Sequence, residues 1–216
     1  MYKNTTIYII DQQLFDKKKT IDYYSMNHLP NQEGDQFKVP LIGDANVGKT
    51  SIVSRMTTEK FTGNTTPTVG VSTALVTVNN VKLSIWDTAG QEKFRSLVPL
   101  YTRHSSLLIL VFDMNNENSF PGIEVWYNKV RVEMGVKCPI FLCGNKIDLE
   151  EMAMRESISE WAKSHDCELF FTSAQTGEGI GQLFEAVAQK VSAQTQKSQF
   201  GPSPNLSVAN SKSGCC

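Results

Sequence analysis

Apolar and polar residues alternate in blocks of two kinds along the middle of the chain. Short apolar runs, clearest in FKVPLI (37–42), ALVTV (74–78), VKLSI (81–85), LLILVF (107–112), PIFLC (139–143) and ELFF (168–171), are separated by longer amphipathic stretches. Runs this short and continuous suit strands buried on both faces of a parallel sheet, with the amphipathic stretches as crossover helices. The pattern predicts strands near 37–42, 70–78, 81–87, 107–113, 139–144 and 168–172. It predicts helices near 49–57, 92–102, 119–134, 154–164 and 179–192. Only Asn79 and Asn80 separate the second strand from the third, and Asn tolerates the positive φ of a two-residue turn, so one edge is an antiparallel hairpin. Pro40 falls inside the first strand, where a missing N–H predicts a bulge or local irregularity.

The flanks read differently. Residues 1–36 show no sustained period and are expected to form a weakly ordered extension, and Met26, eleven residues before Phe37, is an alternative start. Residues 193–216 are rich in Ser, Gln, Asn, Gly and Pro, too polar to bury surface, and are expected to be a disordered tail. Between them, 37–192 is one domain. A chain of 216 residues with 40% hydrophobic and 20% charged content supports such a core. The net charge of −1 gives no general attraction to nucleic acid, and no apolar run approaches the ~18 residues needed to span a bilayer. Five cysteines without paired metal spacing, and no signal peptide at the start, point to a reducing compartment.

Chemistry enters at GDANVGKT (43–50), between the first strand and the first helix. The pattern G-x-x-x-x-G-K-[ST] is a phosphate-binding loop: its glycines let main-chain N–H groups converge on phosphate oxygens. Residues Asp44, Ala45, Asn46, Val47, Gly48 and Ser51 frame that cradle. Lys49 supplies a charge to the β- and γ-phosphates and Thr50 a hydroxyl to Mg²⁺. A surface turn with a lysine is the plain alternative, but three further strand ends argue against it. WDTAGQE (86–92) sets Asp87 toward the metal and Gly90 toward the γ-phosphate, with Gln91 next. GNKID (144–148) and TSAQ (172–175) each follow an apolar strand. All four lie at carboxyl ends of strands, where open parallel sheets bind ligands.

On these motifs the chain resembles the Ras superfamily of small GTPases, and within it most closely the Rab family, over residues 37–192 and the two terminal cysteines. The resemblance implies an α/β fold: a P-loop domain with a six-stranded, mostly parallel sheet, one antiparallel edge strand and helices on both faces. It assigns guanine recognition to Asn145, Lys146 and Asp148, with Ser173 and Ala174 supporting the base and Gln175 standing where relatives have lysine. Adenine would leave the desolvated Asp148 carboxylate without donors, a loss of at least ~1–3 kcal/mol. Phe61 falls where relatives pack an aromatic on the guanine plane; an ordinary core Phe is its competing reading.

In TTPTVG (65–70), Thr68 matches the threonine that joins Mg²⁺ only when a γ-phosphate is present, so the nucleotide is read as a signal. Gln91 matches the residue that orients the attacking water, which makes Gln91, Lys49 and Thr68 the implied catalytic set. No arginine is offered in cis at an evident position, so intrinsic hydrolysis is expected to be slow and an activating protein to raise it by ~10³–10⁵. KLSIWDTAGQEKFRSL and LILVFDMN carry the Rab likeness, and Cys215 and Cys216 match its double-prenylation pattern. Two lipid chains anchor where one holds only marginally. A tail of about 25 residues reaches ~25–30 Å, and with only Lys197 and Lys212 it adds little electrostatic help. The implied partners are GTP and GDP, an exchange factor, an activating protein, a prenylation escort, a dissociation inhibitor, effectors and a membrane, but no nucleic acid. The implied location is the cytoplasmic face of intracellular membranes, with a cytosolic pool.

Departures are local. Ala45 adds a methyl where an activator approaches; Thr73 replaces an effector-facing aromatic, while Trp86 and Tyr101 keep two others. The hairpin is about four residues shorter than in relatives. A GTP-locked, non-cycling scaffold and a metabolic P-loop phosphotransferase are the competing functions; the guanine signature opposes the second.

Overall fold

The computed structural model describes residues 6–8, 36–58, 60–61, 68, 70–91, 96–149 and 155–199. In chain order the elements are β1 (Thr6–Tyr8), β2 (Gln36–Ile42), α1 (Lys49–Thr58), β3 (Val71–Val78), β4 (Val81–Thr88), α2 (Val98–Thr102) and β5 (Leu108–Asp113). They continue with α3 (Ser119–Tyr127), a π-helical segment (Asn128–Glu133), β6 (Ile140–Asn145), α4 (Arg155–Ser164), β7 (Glu168–Thr172) and α5 (Ile180–Gln199). The six expected strands are all present, ordered β3-β4-β2-β5-β6-β7. β4, β2, β5, β6 and β7 run parallel, and β3 pairs antiparallel with β4 through Asn79 and Asn80, whose φ values of 49° and 64° are those the two-residue turn requires.

Side-chain alternation along the strands divides the interior in two. On one face Leu41, Ile85, Ile109 and Val111 pack with Ile52 and Met56 of α1 and Leu183, Phe184 and Val187 of α5. On the other, Ile42, Leu108, Leu110 and Phe112 pack with Ile123 and Trp126 of α3 and Ile158 and Ala162 of α4. Each central strand is therefore apolar on both sides, which is why the sequence shows continuous rather than alternating runs.

Five local expectations change. First, Thr6–Tyr8, in the β-branched stretch TTIYII, forms β1 antiparallel to β3, a seventh strand outside the expected edge. Second, the last helix does not stop near 192 but runs to Gln199. AQTQKSQ is polar yet contains no breaker before Gly201 and Pro202, and polarity alone does not end a helix. Third, of the helix expected over 92–102 only Val98–Thr102 is α-helical, and 92–95 lie outside the described residues. The helix expected over 119–134 leaves α geometry after Tyr127 and continues as the π segment, where the N–H of Met134 reaches the carbonyl of Lys129.

Pro40 makes no bulge. β2 pairs residue for residue with β4 from Gln36 to Leu41. The Lys38 carbonyl accepts from Ser106 N–H on the β5 side, so by alternation the Pro40 nitrogen also turns toward β5. Pairing with β5 begins only at Leu41, so the missing donor falls ahead of that ladder. The carboxyl ends of β2, β4, β6 and β7 are left together at one end of the sheet.

Candidate functional site

Between β2 and α1 the chain turns sharply enough that Gly48 adopts φ 95°, and a Cβ there would lie 2.3 Å from Asn145 Nδ2. Lys49 opens α1 and folds back into the loop, its Nζ donating to the carbonyls of Gly43 at 2.9 Å and Asp44 at 2.6 Å. Burial pulls its pKa down to about 8, against the opposing pull of the Asp87 and Asp44 carboxylates. Gly90 crosses so close that a Cβ would lie 2.4 Å from both the Asp44 carbonyl oxygen and Lys49 Nζ. The second loop residue is held from behind: Trp126 of α3 donates its Nε1–H to Asp44 Oδ1 at 3.0 Å.

Beside the lysine lies a knot of oxygens. Thr50 Oγ1 donates to Asp87 Oδ2 at 2.7 Å and sits 2.7 Å from Thr68 Oγ1, which reaches the same carboxylate oxygen at 3.4 Å. Asp87 is 2% exposed, and its Oδ1 is buried with no hydrogen-bond partner. Burial pushes its pKa above the usual carboxylate range, although the two hydroxyls and Lys49 work the other way. A buried carboxylate oxygen without a donor is costly, and a hard cation with oxygen ligands relieves that cost. The residues present therefore fit Mg²⁺.

The third group comes from β6 and β7. Asn145 is a hub: its Nδ2 donates to the Val47 carbonyl at 2.9 Å, while its Oδ1 accepts from Thr172 Oγ1 and Ala174 N–H, each at 3.2 Å. Lys146 has φ 71°, its Nζ pairs with Asp113 Oδ2 at 2.7 Å and its carbonyl accepts from Asn115 at 2.7 Å. Ser173 donates its hydroxyl to Asp148 Oδ1. Arg55 of α1 reaches across to the carbonyls of Ala174, at 2.8 Å, and Gln175.

These groups enclose one cavity of about 380 Å³, lined along the phosphate loop by Ala45, Asn46, Gly48, Lys49, Thr50 and Ser51. Thr68, Gly90 and Gln91 close one side, and Asn145, Lys146, Asp148, Ala174 and Gln175 the other. Of the sequence-derived residues, Asp44, Val47, Asp87 and Ser173 stand directly behind that wall, each bonded to a residue that forms it. Phe61 lines the cavity and is 39% exposed, so it is not a core phenylalanine. Cys215 and Cys216 lie outside the described residues. Thr88 and Leu149 also line the cavity, and Arg55, Asp113, Asn115 and Trp126 brace it; none of these six stood out in the sequence.

The family model of the Ras family matches residues 38–193. The chain belongs to the Ras family. This Ras-family protein is thus a small GTPase domain, of a family that binds GTP and GDP, generally with Mg²⁺, and works with regulators and effectors. Among the four braces Asp113 and Asn115 carry a local signal, as a polar turn directly after an apolar strand; Arg55 and Trp126 act across the fold.

Proposed function

We propose that this Ras-family protein is a Rab-type switch in vesicle-mediated membrane traffic, hydrolysing GTP slowly alone and faster with an activating protein. The observation that carries the switch is the Thr50–Thr68–Asp87 cluster, because Thr68 comes from the segment leading into β3 rather than from the phosphate loop. Asn145, Lys146 and Asp148 take guanine, with Ser173, Ala174 and Gln175 behind the base and Phe61 across it. The phosphate loop and Lys49 hold the phosphates, and Gln91 orients the attacking water. Thr50, Thr68 and Asp87 would hold Mg²⁺; when bound, the ion neutralises charge on the β- and γ-phosphate oxygens.

The Rab assignment rests on sequence: the segments around Trp86 and Phe112 and the terminal Cys215–Cys216 pair, which double prenylation would turn into a membrane anchor. Among the described residues no helix is long and apolar enough to cross a membrane. The working location is then the cytoplasmic face of intracellular membranes, with a soluble pool kept by an escort or dissociation inhibitor. Cys215→Ser with Cys216→Ser should move the protein from the membrane to the soluble fraction; unchanged membrane recovery removes the anchor.

Single-turnover GTP hydrolysis, with and without cell extract, tests the switch. The wild type should turn over slowly alone and be stimulated by extract, whereas Gln91→Leu should bind GTP within a few-fold and lose stimulated turnover by at least ~10². GTP that binds and never turns over under either condition would make the protein a locked scaffold instead.

A further inference from the structure

The nucleotide cavity takes the carboxyl ends of the strands; a second cavity opens at the amino ends. It holds about 650 Å³ and is bounded by Ile140, the first residue of β6, and Glu168, the first of β7. Six residues of strand span ~20 Å, so the length of the sheet separates the two cavities. Charge sets the second one apart. Arg131, Lys137, Lys163 and Lys190 line it against Asp166 and Glu168, four cations to two carboxylates in a chain whose net charge is −1. Glu168 is already taken by Lys190, at 2.5 Å across the rim. Cys138 and Cys167 add nothing negative, because burial lifts the pKa of both thiols to about 11. Lys137 and Lys163 are exposed and, among the described residues, have neither an ion-pair nor a hydrogen-bond partner.

Arg131 gives the cavity a fixed donor. It is half-buried in the π segment, a helical geometry that frequently marks functional sites. Its Nη1 donates to the carbonyls of Val136 at 2.6 Å and Cys138 at 3.1 Å, and its guanidinium carbon lies 5.9 Å from the centroid of the Tyr127 ring. These contacts orient the guanidinium without neutralising it, since among the described residues it has no carboxylate partner. A guanidinium carries five N–H donors, and both bonds leave from one nitrogen, so Nε and Nη2 keep theirs.

We infer that this cavity binds a polyphosphate ester, with the fork of Arg131 on one phosphate and Lys137 and Lys163 on the charges around it. A planar guanidinium matches phosphate oxygens two at a time, and lysines serve phosphate as point charges. The cavity is larger than the 380 Å³ of the nucleotide cavity and its cations are spread around it, so several phosphates on one scaffold fit it better than a single inorganic ion. A soluble ester and a phosphorylated lipid headgroup present the same chemistry. α5, which brings Lys190 to the rim, runs on from there to Gln199, ~13 Å further, so the chain leaves the domain on the side where the cavity lies. Use of the cavity at a bilayer rests on the membrane reading above; the binding of phosphate esters does not.

Calorimetric titration of the full chain with inositol trisphosphate tests the site, with GDP loaded beforehand so that the phosphate loop is occupied. The probe should bind saturably and leave GDP in place. Arg131→Gln should weaken binding at least about tenfold. Because Arg131 also fastens Val136 and Cys138, Lys137→Gln with Lys163→Gln supplies a variant with no internal bond to lose. It too should weaken binding at least about tenfold, with thermal unfolding unmoved. Absence of saturable binding overturns the proposal, and so does undiminished binding by the lysine variant. Release of GDP by the probe also overturns it, by placing the phosphates in the nucleotide cavity. Cosedimentation of the Cys215→Ser, Cys216→Ser chain with vesicles containing phosphatidylinositol bisphosphate, against phosphatidylcholine alone, separates the two sources. Vesicle binding that the lysine substitutions abolish assigns the site to a lipid headgroup; calorimetric binding without vesicle binding assigns it to a soluble ester. Neither arm reads nucleotide turnover, so the site stands or falls apart from the switch reading.

Discussion

At the β6–β7 end of the cavity the polar groups are already bonded to other parts of the protein: Asn145 to Val47, Thr172 and Ala174, Lys146 to Asp113, and Asp148 to Ser173. At the β2–β4 end, Asp87 keeps a buried Oδ1 without a partner and Lys49 rests its ammonium on two main-chain carbonyls. The first end is a finished mould whose polar groups are already positioned. The second is held by contacts that a phosphate and a cation would exchange for stronger ones. On the proposed function, shape selection falls to the first end, and the free energy that distinguishes one ligand state from another to the second.

The largest break in that contrast is Lys49→Ala. Removing the buried ammonium beside the oxygen knot should weaken GTP binding by about 2–5 kcal/mol, measured by titration with a fluorescent nucleotide. The wild type should show a matching pH dependence. In the nucleotide-free protein Lys49 titrates near pH 8, below the usual lysine value, and phosphates favour its charged form. Binding therefore takes up a proton above that pH, so affinity should fall as pH rises from 8 toward 10, by at most about tenfold per unit. Affinity that stays flat over this range would mean that the ammonium keeps its proton without the ligand.

Asp148→Asn probes the finished end and should cost less. The amide places a donor where guanine needs an acceptor, so GTP affinity should fall by about 1–3 kcal/mol while xanthosine triphosphate gains. Because the Ser173 hydroxyl can still donate to the amide oxygen, the mould should survive, and thermal unfolding should move little. Undiminished GTP affinity would remove Asp148 from the base end.

The sequence carried the four strand-end motifs because each is local: a few residues at fixed spacing after an apolar run. The braces behind them join residues far apart in the chain, such as Trp126 and Asp44, or Arg55 and Ala174. A tryptophan on an amphipathic helix reads as core, and nothing near it says that its N–H meets a carboxylate. The fold's exceptions have the same origin. Pro40 is harmless because of where the neighbouring ladder begins, and Thr6–Tyr8 pairs because β3 offers an edge; neither fact is written in its own segment. The end of α5 departs from expectation for the opposite reason: its polar residues suggest a tail, but the absence of a local breaker lets the helix run to Gln199.

The smallest expected effect joins the two ends of the comparison through α3. Trp126 is 3% exposed and gives its N–H to Asp44, whose main-chain carbonyl in turn accepts from Lys49 at 2.6 Å. One turn earlier on the same helix, Gly122 packs so near that a Cβ would stand 2.6 Å from Asp44 Oδ2. The helix thus sets the carboxylate, and the carboxylate sets the loop residue on which Lys49 rests. Trp126→Phe removes the donor and keeps an aromatic ring, so nucleotide should dissociate about fivefold faster, the equivalent of ~1 kcal/mol. Single-turnover hydrolysis of GTP already bound should change by less than about twofold, because neither Gln91 nor the oxygen knot is touched. Since a smaller ring also opens space in the core, Gly122→Ala supplies the control: it leaves Trp126 whole and displaces the same carboxylate by contact. Faster release in both variants assigns the effect to Asp44. Faster release in Trp126→Phe alone would assign it to lost packing, and no change in either would mean that the phosphate loop keeps its shape without α3.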